Sequence, residues 1–181
     1  MMLRGNKVYL ANLFDGDAEY LTDWQWDDQF LLGLSEDVVH PYGVKEWSEF
    51  FGDANSNSDI MFTIRRTNDD MLVGFAGISD IMLRNQRGEL CIGIPQAGDR
   101  SLGYGREAFS LLLEYAFDHL NLHKVTLTVH AYNTAALKLY EKCGFVREGT
   151  NREAVYHQGK WYDSYSYGLL AREWRQNPDN Y

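Results

Sequence analysis

The stretch from Gly103 to Leu120 constrains the fold most. Its apolar residues Phe109, Leu112, Leu113, Ala116, Phe117 and Leu120 recur at helical spacing and predict a helix with one buried face. Such a face needs an apolar partner, and strand-like segments flank it on both sides. "GELCIGI" (88–94) precedes it and ends at Pro95, and the β-branched, alternating "KVTLTVH" (124–130) follows. The helix therefore crosses between two strands. Further strands are predicted over 7–13, 60–66 and 71–81, the last two joined by the turn Thr67-Asn68-Asp69-Asp70. Two long strands are expected around the turn His157-Gln158-Gly159-Lys160. Helices are predicted over 17–34, opened by Asp15 or Asp17, over 44–53, and over 133–145 with Asn133 as N-cap and Gly144 as its stop. The order β-α-α-β-β-β-α-β-α-β-β, with hairpins in the middle and at the end, predicts an α+β fold built on a mixed sheet. No repeat or linker divides the chain, so residues 1–181 read as a single domain.

Charge and composition exclude several function classes. The net charge is −9, and no run of Lys or Arg occurs anywhere. Nucleic acid and anionic membrane both demand clustered positive charge, so neither is an expected partner. The opening residues lack the apolar run of a signal peptide and no stretch approaches a membrane span, so a cytoplasmic location is expected. Cys91 and Cys143 fit neither a disulfide framework nor a zinc spacing and read as buried small hydrophobes. The five histidines are scattered, and no metal is expected.

"RSLGYGREAF" (100–109) opens the long helix with a G-x-G-x-x-A string. A dinucleotide-binding turn would require the first glycine to follow its strand directly and an acid to end the next strand, about 20 residues on. Eight residues, 95–102, intervene after Ile94, and the next strand ends in Val129-His130-Ala131. Both requirements fail, and no Gly-Lys-Ser/Thr follows to make a P-loop. What remains is an anion cradle or a plain turn. Helix-terminal N–H groups and the helix dipole favour an anion there, Gly103 and Gly105 permit close backbone approach, and Arg100 adds charge.

A second segment, "NTAALKLYEKCGF" (133–145), bears on that choice. Arg100-x-x-Gly103-x-Gly105 and Asn133-x-x-Ala136-x-x-Leu139-Tyr140-Glu141-Lys142-x-Gly144-Phe145 together resemble the GNAT superfamily of acetyl-CoA-dependent N-acetyltransferases. Most of residues 85–174 resembles its subfamily of Rim-type ribosomal-protein N-terminal and polyamine acetyltransferases. The resemblance implies a mostly antiparallel sheet of about seven strands with splayed parallel central strands and about four helices. It implies that acetyl-CoA is the donor and a small-molecule amine or protein N-terminus the acceptor, and it leaves a homodimer open. By resemblance the pantetheine arm lies against Ile92, Gly93 and Ile94. The diphosphate is cradled by Arg100, Ser101, Leu102, Gly103, Tyr104, Gly105 and Arg106, and Asn133 touches the cofactor. Tyr140 matches the family's general acid toward the sulfur, a role suited to a phenol that stays protonated at neutral pH. Glu89 matches a glutamate placed to accept the amine's proton, through water; His130 is a weaker alternative, and an amine that arrives already neutral needs no dedicated base. Each residue also has a structural reading: Tyr140 as a packed ring, Glu89 as a solvent-facing carboxylate, Asn133 as a cap. Ser101-Leu102 depart from the bulkier or basic residues common in the loop, which implies lower cofactor affinity.

Between Lys7 and Lys45 there is no Lys or Arg, while Asp15, Asp17, Glu19, Asp23, Asp27, Asp28, Glu36 and Asp37 interleave with Trp24, Trp26, Phe30 and Tyr42. As a cleft wall this region would suit a cationic amine; the alternative is a solvated helix face on an acidic protein. Two rival functions stay open: a non-catalytic acyl-CoA-binding protein on the same scaffold, and an NAD(P)-dependent oxidoreductase.

Overall fold

In the computed structural model, residues 3–24, 42–53 and 58–177 are described. Seven strands form one sheet: β1 (Val8–Ala11), β2 (Ile60–Arg66), β3 (Leu72–Met82), β4 (Arg87–Gly93), β5 (Lys124–His130), β6 (Val146–His157) and β7 (Lys160–Leu170). Their spatial order is β1-β2-β3-β4-β5-β7-β6, and every neighbouring pair is antiparallel except β4 and β5. Five α-helices are described: α1 (Asp17–Trp24), α2 (Val44–Asp53), α3 (Tyr104–Glu114), α4 (Thr134–Lys142) and α5 (Ala171–Gln176). The expected mixed sheet of seven strands is present, with one helix more than the sequence suggested.

The helices divide between the two faces of the sheet. On the first face, Phe109, Leu112 and Phe117 after β4, Tyr140 and Phe145 around α4, and Trp174 of α5 pack on Leu90, Val125, Leu127 and Leu169. On the second, Ala18, Leu21 and Trp24 of α1 and Trp47 and Phe51 of α2 pack on Met61 and Phe75. Strand alternation follows from this division. Leu90 and Ile92 belong to the first face and Cys91 to the second, which places Glu89 and Gly93 on the second as well. On β5, Val125, Leu127 and Val129 face the first core, leaving Thr126, Thr128 and His130 on the second face.

Several boundaries differ from expectation. The first strand is four residues long rather than the predicted 7–13. The helix after it is described only to Trp24, and the rest of the expected 17–34 helix lies outside the described residues. The long crossover helix is α-helical to Glu114 and then widens across Tyr115–His119, where the Leu120 N–H donates to the Tyr115 carbonyl at 3.0 Å. Asn133 does cap α4: its Oδ1 accepts from the Ala136 N–H at 3.2 Å. Asp17 does not cap α1 in the ordinary way. It is the first helical residue, and its Oδ2 accepts from the Phe14 N–H at 2.7 Å while the carboxylate pairs with Arg65 in the interior.

Candidate active site

The parallel pair β4–β5 is joined over three residues only, Arg87 with Lys124, Gly88 with Val125 and Glu89 with Thr126. Beyond Glu89, β4 continues against β3 as far as Gly93, and β5 continues against β7 as far as His130. The facing edges of Leu90–Gly93 and Leu127–His130 are not paired with each other. A sheet normally satisfies both edges of an internal strand. This split leaves a row of N–H and C=O groups in the middle of the sheet, with the spacing an extended amide-bearing chain would match.

The segment leaving β4 turns at the wide end of the split. A single 3-10 turn at Ala97–Asp99 leads through Arg100 to Ser101 (φ +63°) and Gly103 (φ +89°), and α3 begins at Tyr104. Gly103 holds a left-handed conformation that a side chain would strain. At Gly105 a Cβ would meet the Ile94 side chain at 3.4 Å, so the first turn of α3 lies close to the end of β4. The free N–H groups of this helix start face the same end of the sheet, and its dipole favours an anion there. Leu102 is 47% exposed, so the loop displays it rather than packing it. Arg100 is turned toward the chain: its Nε donates to the Ile94 carbonyl at 3.0 Å, and a terminal nitrogen bonds the Pro95 carbonyl. Its guanidinium thus braces the exit from β4. Arg106 is exposed on α3 and lies toward Cys143, whose thiol it influences.

Tyr140 stands on the first face, 7% exposed, with its ring tilted against Phe109 (5.3 Å between centroids) and Phe145 (6.0 Å). Burial pushes its phenol up to about 12, with the nearby Cys91 and Cys143 adding to the shift. Its hydroxyl makes no hydrogen bond to any described residue, so the proton is available to a group entering the split. Glu89 stands on the second face at the last paired position, half-buried, where the Thr128 hydroxyl donates to its Oε1 at 3.2 Å. His130 lies farther along that face, buried, with its ring 5.3 Å from Tyr132. The two halves of the expected chemistry, proton donor and proton acceptor, therefore flank the split from opposite sides of the sheet.

Cys143 is buried as expected, whereas Cys91 is only partly so. It sits on the β4 edge of the split with its Sγ 3.8 Å from the Met61 Sδ, and burial with the Glu89 charge pushes its thiol up to about 11. Sequence reading missed this position, because nothing in "ELCIGI" tells which cysteine borders a gap.

The acidic wall is changed more than the central residues. Asp17 is buried against Arg65, and Trp24, at 3% exposure, belongs to the core rather than to a surface. Asp15, Glu19, Asp23 and Tyr42 are exposed as expected. Trp26, Asp27, Asp28, Phe30, Glu36 and Asp37 lie outside the described residues. Among the described residues no three His, Cys, Asp or Glu side chains converge as a metal site would need, and no helix is long and apolar enough to cross a membrane.

A half-split sheet with a glycine-bearing turn at its open end and titratable groups on both faces is an arrangement suited to group transfer. The acetyltransferase (GNAT) domain model matches residues 8–146, and the chain belongs to this family of N-acetyltransferases. Among its relatives is the SPbeta prophage-derived uncharacterized N-acetyltransferase YokL of Bacillus subtilis, 32% identical over 152 residues, which are 83% of this chain and 84% of that protein. The spermidine N(1)-acetyltransferase of Vibrio cholerae is 43% identical over a shorter span, 61 residues, 34% of this chain and 35% of that one. The crystal structure of spermidine N-acetyltransferase from Vibrio cholerae in complex with CoA and spermine superposes with a TM-score of 0.83 at 25% identity, covering 95% of this chain and 100% of that one.

Proposed function

We propose that this protein transfers the acetyl group of acetyl-CoA to the primary amine of a cationic small molecule, with a polyamine as the favoured class. The observation that carries this reading is the split after Glu89 and Thr126, with Tyr140 on one face and Glu89 on the other. The residues fit the donor. The unpaired edge at Ile92–Gly93, continued by Ile94, offers backbone partners for the amides of a pantetheine arm. The turn Arg100–Arg106 offers N–H groups to a diphosphate. The Asn133 Nδ2 donates to no described residue, while its Oδ1 caps α4, so one end of the carboxamide is left for the donor.

The chemistry follows from the two faces. An amine arriving from the α1–α2 side gives up a proton to Glu89, directly or through water, and its nitrogen lone pair attacks the thioester carbonyl carbon. The C–N bond forms, the C–S bond breaks, and Tyr140 gives its proton to the departing sulfur. N–H groups of β4 at the split would polarise the carbonyl oxygen. Direct transfer is favoured over a thioester on Cys91, because a thiol pushed up to about 11 is almost wholly protonated at neutral pH. For the acceptor, the support is the net charge of −9, the exposed Asp15, Glu19 and Asp23 on and before α1, and the likeness to a spermidine N-acetyltransferase.

The test is CoA release from acetyl-CoA across polyamines, aminoglycosides, amino acids and basic peptides. Saturable turnover with polyamines is expected, together with thermal stabilisation by acetyl-CoA and none by NADH. Binding of acetyl-CoA without turnover of any amine would establish the non-catalytic alternative. Stabilisation by NADH alone would overturn the donor.

A further inference from the structure

We infer that Lys7, from the residue preceding β1, supplies the cation that meets the diphosphate of the donor at the turn before α3; this rests on acetyl-CoA being the donor. The turn carries N–H donors, but of its two arginines Arg100 is bonded to the carbonyls of Ile94 and Pro95, and Arg106, inside the first turn of α3, lies toward Cys143. Arg66, on β2, is held in a two-pronged pair with Asp69, at 3.0 and 2.7 Å. Lys7 is different. Its Nζ donates to the Leu102 carbonyl at 2.8 Å and stands 3.1 Å from where a Cβ on Gly103 would be. The ammonium is therefore fixed over the middle of the turn, on the residue whose left-handed backbone shapes it. The side chain is exposed, and no carboxylate among the described residues pairs with it.

This placement is built rather than incidental. Glu107, in the first turn of α3, accepts from three successive backbone N–H groups: Asn6 at 2.8 Å, Lys7 at 2.7 Å and Val8 at 2.9 Å. Gly5 permits the approach, since a Cβ there would fall 2.6 Å from the Glu107 Cδ. The start of β1 is thereby tied to the helix that begins at the turn. The Glu107 charge would oppose an anion nearby, but its oxygens are committed to β1 and Lys7 stands at the turn itself. A local cation matters here because the molecule as a whole, at −9, repels an anionic donor. Of the three ammonium protons, one is used on Leu102, which leaves two for phosphate oxygens.

The experiment is calorimetric titration of CoA and of 3′-dephospho-CoA into the full-length protein and its Lys7→Met and Lys7→Arg variants, with ligand-free melting alongside. Lys7→Met should weaken both ligands by about tenfold, a charge-assisted hydrogen bond's worth. Lys7→Arg should stay within about threefold of the parent, and ligand-free melting should be unchanged. Unaltered CoA affinity in Lys7→Met would overturn the inference. So would a loss seen with CoA but not with 3′-dephospho-CoA, which would move the contact to the 3′-phosphate. A loss accompanied by a lowered ligand-free melting temperature would reduce Lys7 to a brace of the turn. Failure of the parent protein to bind CoA would instead overturn the donor itself.

Discussion

Tyr140 combines burial with a hydroxyl that has no hydrogen-bond partner among the described residues, and the two have one chemical consequence. A phenol raised from its ordinary value of 10.0 to about 12 holds its proton throughout the neutral range. Tyr140→Phe keeps the ring that packs on Phe109 and Phe145 and removes only the hydroxyl that carries that proton. The expected result in steady-state assays is a fall in kcat of about 100-fold with the CoA dissociation constant unchanged. Proportionate losses in CoA binding would mean the residue only packs. The raised value also sets the pH behaviour. The unfolded chain loses this proton near 10 while the folded chain keeps it to about 12, so the group's contribution to stability is complete below 10 and declines above it. The rate should therefore rise with pH as the amine is deprotonated and show no falling limb below about pH 10. A kcat limb with an apparent pKa near 8 or 9 would assign the acid to another group.

At the scale of elements, α1 is fastened to the sheet by Asp17 and Arg65, whose side chains are 7% and 6% exposed. Arg65 also donates to the Asp70 carbonyl at 2.6 Å and lies over the Phe14 ring, 3.8 Å from its centroid. Removing one charge of a buried pair leaves the other unpaired, which costs about 3–5 kcal/mol. Asp17→Asn is expected to lose that much in urea denaturation, and Asp17→Asn combined with Arg65→Met to lose less than Asp17→Asn alone; additive losses would show that the pair is not coupled. Such contacts mark where sequence reading stops. The strands, α3 and α4 were legible because periodicity, turns and caps are local, and Tyr140 and Asn133 were legible because one short segment carries both. The split was reached only through family resemblance, since three paired residues and then none leave no trace in hydrophobic pattern. Asp17 looked like an exposed acid because its partner is 48 residues away. Lys7 and Glu107, 100 residues apart, gave no local signal at all. α5 escaped notice because six residues are too few for a clear period.

Over the whole molecule, the proposed function sets two oppositely charged substrates on opposite faces of the sheet. On the proposed function the donor's phosphates are met at the α3 turn, on the side of the larger core, while the acceptor approaches beneath α1 and α2, where Asp15, Glu19 and Asp23 are exposed. A net charge of −9 acts in opposite senses on the two. It raises the local concentration of a polycation and lowers that of an anion, except where a fixed cation offsets it. Salt tests this directly, because screening weakens attraction between exposed charges over a Debye length of about 10 Å at 0.1 M. With acetyl-CoA held saturating, raising the salt from about 0.05 to 0.5 M should lower kcat/KM for a polyamine about three- to tenfold, with kcat unchanged, since the proposed proton transfer and bond formation take place inside the split. An amino acid acceptor, whose carboxylate cancels its ammonium, should show little change or a slight gain. Equal salt dependence for both acceptors would mean that the acidic face does not steer the amine, and recognition would then rest on contacts close to Glu89.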